Sequence, residues 1–97
     1  MTNTSFIQPI IHAVAEHTNV KPSEILSNSR EGRIVRARHI TMWIGCYYTK
    51  ASLQTIAAAL NCKRHATVIH GREQMDNICY FDKNFSNELH ELAKLIK

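Results

Sequence analysis

Apolar residues recur at helical spacing along almost the whole chain, and this pattern limits the fold more than any other feature of the sequence. The first apolar stripe comprises Phe6, Ile7, Ile10, Ile11 and Val14. No segment alternates apolar and polar residues with the β-branched enrichment of a strand. The pattern therefore predicts an all-α protein of five or six helices. The 97 residues fit one helical domain over 1–97.

Two prolines mark the first helix starts. Pro9 fits best in a first turn, so the first helix is predicted to begin between Thr4 and Pro9 and to end near His17. Pro22 then opens a short helix that ends at Leu26. Ser, Asn and Gly break the helical pattern in the segment that follows, S-N-S-R-E-G-R. That segment predicts a loop over residues 27–33.

A long helix is predicted from Ile34 to Tyr48, and it is followed by two more helices and a terminal amphipathic one. Its predicted buried stripe is Val35, Met42, Trp43, Cys46 and Tyr47. Ser52 stands where an N-cap is needed for the next helix. Asn61 and Cys62 interrupt that helix, and another begins at once. Gly71 in its first half allows close approach to a neighbouring helix. The last helix places on one face Phe85, Leu89, Leu92, Ala93 and Ile96.

The charge is concentrated in the middle of the chain. The net charge is +4, but residues 21–72 hold nine Lys and Arg against two Glu, while residues 1–20 and 73–97 are both slightly acidic. A basic centre favours a polyanionic partner, nucleic acid before membrane. The alternative is a solvated surface that keeps the protein soluble.

Two helices joined by a short turn, over about residues 52–80, are typical of a helix-turn-helix. Lys63 and Arg64 begin the second of these helices, where cations oppose the helix dipole at a cost of about 0.3–1 kcal/mol each. That arrangement is useful when the helix start faces a polyanion. The alternative is that both side chains extend into water.

The stretches V-R-A-R-H-I-T-M-W-I-G and S-L-Q-T-I-A-A-A-L-N-C-K-R-H-A-T-V-I-H-G resemble the C-terminal DNA-binding domain of the bacterial replication initiator DnaA. That family has an arginine-rich loop, then R-x-x-A-M, then S-L-x-x-I-G-x-x-F-G-x-R-D-H-T-T-V-x-H-A. The matching residues are Arg38, Met42, Ser52, Leu53, Ile56, His65, Thr67, Val68 and His70. The resemblance covers about residues 10–90. It implies a helix-turn-helix bundle similar to that of Trp repressor.

The resemblance also implies which residues contact DNA. Arg30 of the basic loop matches the arginine that enters the minor groove, where groove width and A·T content are read. Arg38 and His39 match positions that hold the phosphate backbone. The first helix of the pair packs against the backbone, and the second reads the major groove. The full predicted interface is Arg30, Arg33, Arg36, Arg38, His39, Ser52, Leu53, Gln54, Lys63, Arg64, His65, Ala66 and Thr67.

The chain departs from the family pattern at the reading end. Arg64 stands in place of an Asp, and Ala66 in place of a Thr. An Asp accepts a hydrogen bond from cytosine N4, whereas an Arg donates to guanine O6 and N7. Asn61 and Cys62 replace the glycine of the turn. These changes predict a different DNA target.

These features predict sequence-specific binding of double-stranded DNA, in replication control or transcription regulation. The alternative is a protein-interaction module that has kept the fold and lost specific DNA binding. The 97 residues contain no G-x-x-x-x-G-K-S/T phosphate loop, so no ATPase activity is expected. The expected partners are duplex DNA and, as an open possibility, a replication or regulatory protein. We expect a cytoplasmic protein that associates with the nucleoid, with no membrane partner.

The sequence gives little support for a metal site or a catalytic site. Cys62, His65 and His70 form no zinc site, because no fourth ligand has suitable spacing. The three cysteines lack a C-x-x-C motif, which favours reduced thiols. Carboxylate pairs such as Glu88 and Glu91 are spaced as solvated helix neighbours. We therefore expect no metal, no cofactor and no enzymatic activity.

Overall fold

The structure is a computed structural model that describes residues 7–96. Within that range it contains helices and no strand, which confirms the all-α prediction. The helices are α1 (Gln8–Thr18), α2 (Pro22–Ile25), α3 (Gly32–Tyr48), α4 (Leu53–Ala59), α5 (His65–Phe81) and α6 (Lys83–Leu95). Phe6, assigned above to the first apolar stripe, lies outside the described residues. Among the described helices, none has the length and apolar character that a membrane span requires.

The helix starts follow from local sequence. Pro9 lies in the first turn of α1, where its missing N–H is not needed by the helix. Ser52 caps α4, as predicted, because its Oγ accepts a hydrogen bond from the backbone N–H of Thr55 at 3.1 Å. Asp82 caps α6 in the same way through the backbone N–H of Phe85 at 3.0 Å.

The long helix α3 lies at the centre of the fold and contacts all five other helices. The largest fully buried side chains are Ile7, Ile10, Ile11, Val14, Ile25, Met42, Ile44, Ile56, Leu60, Val68, Met75 and Leu89. Each aliphatic side chain of this kind contributes roughly 1.5–3 kcal/mol relative to its exposed state. The core therefore holds α1, α4 and α5 firmly against α3.

The predicted buried stripe of α3 is wrong at Tyr47, which is 53% exposed, and two further members, Val35 and Cys46, are only half-buried. Tyr47 lies at the rim of the core because its hydroxyl donates a hydrogen bond to Asp76 Oδ2 at 2.8 Å. Its ring meets Trp43 edge-on, with 5.4 Å between ring centroids. Trp43 itself is buried and donates through Nε1 to Asp76 Oδ1 at 3.0 Å.

The loop between α2 and α3 is shorter than the predicted 27–33, because α3 begins at Gly32. Glu31 has an extended backbone, and its carbonyl oxygen already accepts from the N–H groups of Ile34 and Val35 at 3.0 and 2.9 Å. Arg33 therefore belongs to the first turn of α3. We use the term basic loop below for residues 27–31.

Candidate nucleic-acid interface

The helices α4 and α5 form a helix-turn-helix with a tight turn. Asn61 holds the turn in a left-handed conformation, with φ 58°. Asn adopts this conformation more readily than most residues with a side chain. The backbone N–H of Cys62 then bonds the carbonyl oxygen of Ala57 at 2.8 Å, which closes the end of α4. The chain is thereby redirected into α5 within a few residues.

The start of α5 is solvent-exposed over five consecutive residues. These are Lys63, Arg64, His65, Ala66 and Thr67. Arg64 is the N-cap residue, with an extended backbone and no hydrogen bond from its side chain to the helix. The first turn of α5 contains no acidic residue. This end of α5, which we call the reading end, therefore combines cationic side chains with the positive end of a 17-residue helix.

Close packing of α5 on α3 places the reading end. Gly71 is buried, and a Cβ built on it would overlap the sulfur of Met42 and lie 2.9 Å from His39 Cδ2. Only a glycine allows this approach without a shift of one of these neighbours. The close approach predicted for Gly71 is therefore confirmed.

The basic loop is ordered by a ladder of serine hydroxyls. Ser27 Oγ donates to the carbonyl oxygen of Glu24 at 2.6 Å and accepts from the N–H of Ser29 at 3.2 Å. Ser29 Oγ in turn accepts from the N–H of Glu31 at 3.2 Å. Arg30 lies between the last two residues of this ladder and is exposed. The loop thus exposes the Arg30 guanidinium to the solvent, and the salt bridges among the described residues do not include it.

Arg38 contacts the same loop from α3. Its Nε donates to the carbonyl oxygen of Ile25 at 2.9 Å, and its Nη2 donates to that of Ser27 at 2.8 Å. Both Nη1 and Nη2 lie 3.2 Å from the carbonyl oxygen of Ser29. Most of its five donors are therefore used inside the protein. The predicted phosphate contact of Arg38 stays a prediction.

Two other predicted arginines have partners of their own. Arg33 pairs with Glu31 at 2.8 Å and with Glu24 at 3.3 Å. The hydrogen bond and charge of Glu31 raise the pKa of Arg33, and Glu24 acts in the same direction. Arg36 lies over the Phe85 ring, with its Cζ 5.6 Å from the centroid. Arg36 therefore points toward α6, and Arg33 shares its charge with two carboxylates.

His39 lies half-buried between α3 and α5, where it packs near Gly71. Burial lowers the pKa of His39 below its ordinary value of 6.5, and the charges of His70, Arg38 and Arg36 act in the same direction. His70 is exposed, with its ring edge-on to His39 at 6.0 Å between ring centroids. The contact of His39 with a phosphate stays a prediction.

The first turn of α4 adds three predicted residues. Ser52 is exposed beside its capping bond, Gln54 is exposed, and Leu53 is half-buried against the core. The polar pair at the start of α4 is therefore accessible, while Leu53 anchors the helix.

A family model of the bacterial DnaA protein helix-turn-helix matches residues 7–75 of the chain. The chain belongs to the bacterial DnaA helix-turn-helix family. The matched range includes α1 to α4, the basic loop and the first part of α5 up to Met75.

Individual DnaA proteins extend this similarity over nearly the whole chain. The chromosomal replication initiator protein DnaA of Wolbachia sp. subsp. Brugia malayi is 35% identical over 91 residues, which are 94% of this chain and 20% of that protein. The protein of the same name from Bacteroides fragilis is 31% identical over 96 residues, or 99% of this chain and 20% of that protein. That from Bartonella quintana is 32% identical over 90 residues, or 93% of this chain and 18% of that protein. The chain thus spans about one fifth of the length of these DnaA relatives.

Asn61 connects two parts of this site in a way that the sequence did not predict. Asn61 donates through Nδ2 to the carbonyl oxygen of Leu26 at 3.2 Å, so the helix-turn-helix is tied to the end of α2. The left-handed conformation could be predicted, since an Asn that interrupts a helical pattern indicates a left-handed residue. The bond partner is 35 positions away. Only the packing of α2 beside the turn reveals it.

Proposed function

We propose that the chain binds double-stranded DNA in a sequence-specific manner, with the reading end in the major groove and Arg30 in the minor groove. The observation that carries the proposal is the reading end itself. Five exposed residues, two of them cationic, begin a long helix that has no capping side chain and no acid in its first turn. Such a start loses helix stability and gains from a nearby polyanion.

The dimensions of DNA support the major-groove assignment. A major groove of B-DNA, about 12 Å wide, accepts one α-helix. In helix-turn-helix proteins the N-terminal residues of the second helix contact base edges. Arg64, His65 and Thr67 have donors or acceptors for such contacts, and Ala66 has a methyl group. Lys63 and the N-terminus of α4 are assigned to phosphates, whose contacts fix the orientation of the protein on the duplex.

The basic loop supports the minor-groove assignment. Arg30 is exposed on a segment whose neighbours Ser29 and Glu31 are hydrogen-bonded. An arginine in a narrow minor groove responds to the strongly negative potential of A·T-rich DNA. Membership of the DnaA family and the basic centre of the chain favour the same partner.

Within cells we propose a role in the control of replication initiation, as the names of the DnaA relatives indicate. The same site would also serve in the regulation of transcription, because both tasks require recognition of a duplex DNA sequence. We ascribe no catalysis to these residues. We propose that the protein acts in the cytoplasm, on the chromosome.

Selection of bound sequences from a random duplex pool tests the proposal. Wild type is expected to enrich one motif with an A·T-rich flank. The double variant Lys63→Ala/Arg64→Ala is expected to bind that motif at least about tenfold more weakly, since one good base contact alone is worth roughly 1–3 kcal/mol. Lys94→Ala is the control for loss of positive charge away from the reading end, because it removes one charge from α6, where Lys94 pairs with Glu91 at 3.8 Å. Failure to enrich any motif would favour the interaction-module alternative.

A further inference from the structure

The basic loop is held from outside by two side chains that belong to different parts of the fold. Arg38 of α3 bonds the carbonyl oxygens of Ile25, Ser27 and Ser29. Asn61 of the helix-turn-helix bonds the carbonyl oxygen of Leu26, which lies among them. Backbone carbonyl oxygens within residues 25–29 thus accept hydrogen bonds both from α3 and from the turn between α4 and α5.

These carbonyls need partners for a physical reason. The last carbonyl oxygens of a helix have no N–H group of their own helix to accept from. At the end of α2 they are provided with donors by Arg38 and Asn61. The contact is therefore stabilising in the absence of any ligand.

Asn61 can donate this hydrogen bond because the chain has an asparagine where the family pattern has a glycine. The resembled family pattern has glycine in the turn, and glycine satisfies a positive φ without offering a side chain. Asn61 adopts φ 58° and also supplies an amide donor. The turn is therefore linked to the end of α2, directly before the basic loop, by a bond that glycine cannot make.

We propose that Arg38 and Asn61 are positioning residues that fix the basic loop relative to the reading end. The inference rests on the proposed function, because it concerns how Arg30 and α5 engage two grooves together. A loop that is ordered before binding loses less conformational freedom when it binds, which raises affinity for DNA whose groove spacing matches. Arg38 then governs minor-groove preference through Arg30, without reading the groove itself.

The test uses Arg38→Lys and Asn61→Gly. Lysine keeps the charge, but its compact ammonium cannot span three carbonyl oxygens as the planar fork of arginine does. Glycine keeps the left-handed turn and removes only the amide donor. Arg72→Lys is the matched control, because Arg72 lies on α5 outside the predicted interface.

The first measurement is amide hydrogen exchange at Ser29 and Glu31 in the protein without DNA. We expect exchange to be about five- to tenfold faster in Arg38→Lys and about two- to fivefold faster in Asn61→Gly, the sizes expected when one or two hydrogen bonds of ordinary net strength are lost. Arg72→Lys is expected to match wild type. Unchanged exchange in Arg38→Lys would overturn the proposal.

The second measurement compares affinities for two duplexes that share a major-groove core and differ in an A·T-rich or G·C-rich flank. Arg38→Lys is expected to reduce the preference for the A·T flank as far as Arg30→Ala does, and to have no further effect in the Arg30→Ala background. Equal loss on both duplexes, or wild-type binding to both, would show that Arg38 acts as a phosphate anchor. If wild type binds neither duplex, the proposed function fails, and with it the role in DNA binding. The exchange data still decide whether these side chains order the loop.

Discussion

Gly71 of α5 faces Met42 of α3 at the point where the two helices cross, and a Cβ on Gly71 would overlap the Met42 sulfur. This crossing lies six residues after the start of α5. The two helices therefore approach most closely near the reading end of α5.

We expect Gly71→Ala to lower the free energy of unfolding by about 1–3 kcal/mol, the usual cost of an added methyl in a packed interior. Thermal unfolding followed by circular dichroism measures this, as a fall in Tm of several degrees. Gly32→Ala is the control, because a Cβ on Gly32 meets nothing within 4 Å. Equal stability of the two variants would contradict the tight crossing.

Two substitutions of Ser52 distinguish its effect on folding stability from its effect on DNA affinity. Ser52→Ala is expected to cost about 0.5–2 kcal/mol, because Thr55 loses its capping acceptor. Ser52→Asp keeps the cap and is expected to retain stability, while its negative charge lowers affinity for duplex DNA. Chemical denaturation and a DNA titration on the three proteins check both expectations. Normal DNA binding by Ser52→Asp would place the start of α4 away from the phosphates.

Arg64 is predicted to prefer guanine at the position where the family's Asp accepts from cytosine. Its donors fit guanine O6 and N7, and a good bidentate contact is worth roughly 1–3 kcal/mol of discrimination. Wild type is expected to bind the DnaA family's usual site weakly. Arg64→Asp combined with Ala66→Thr is expected to shift the selected motif back toward that site.

Selection with Arg64→Ala provides the matching control. If Arg64 reads a base, the variant loses preference at one position of the motif. If Arg64 rests on a phosphate, affinity falls and the motif is unchanged. Identical motifs from wild type and Arg64→Ala would end the guanine hypothesis.

His39 makes stability depend on pH. Its pKa in the folded protein is lowered, chiefly by burial, so the unfolded chain takes up the proton first as the pH falls. The stabilisation is complete above the ordinary pKa of 6.5 and is lost as the pH falls below that value toward the folded pKa. Denaturation at pH 7.5, 6 and 5 is expected to show a smaller decline for His39→Gln than for wild type. His12→Gln, at an exposed position of α1, is expected to decline as wild type does.

Much of the fold follows from local rules, which is why it can be read from the sequence. Helical spacing identifies α1, α3, α5 and α6, and a capping serine marks the start of α4. Gly71 could be predicted as a close approach because a buried helical face rarely needs a glycine for any other reason. The reading end could be predicted because two cations at a helix start are costly.

The remaining features depend on packing between distant segments. Arg38 meets the carbonyls of the basic loop only because α2 folds back on α3. Arg33 looks free in sequence, yet Glu24 and Glu31 both lie within ion-pair distance. Tyr47 follows the helical spacing of a buried residue, but its hydroxyl needs the Asp76 carboxylate at the rim. Periodicity contains no information about any of these partners.

The most direct test of duplex binding is its salt dependence. Each neutralised phosphate contributes about −0.9 to the slope of log affinity against log salt concentration, so engagement of both the basic loop and the reading end predicts a slope of about −3 or steeper. Lys63→Ala is expected to make the slope shallower by about one unit, and Lys94→Ala to leave it unchanged. A slope near zero for wild type would contradict the proposal that this surface binds DNA.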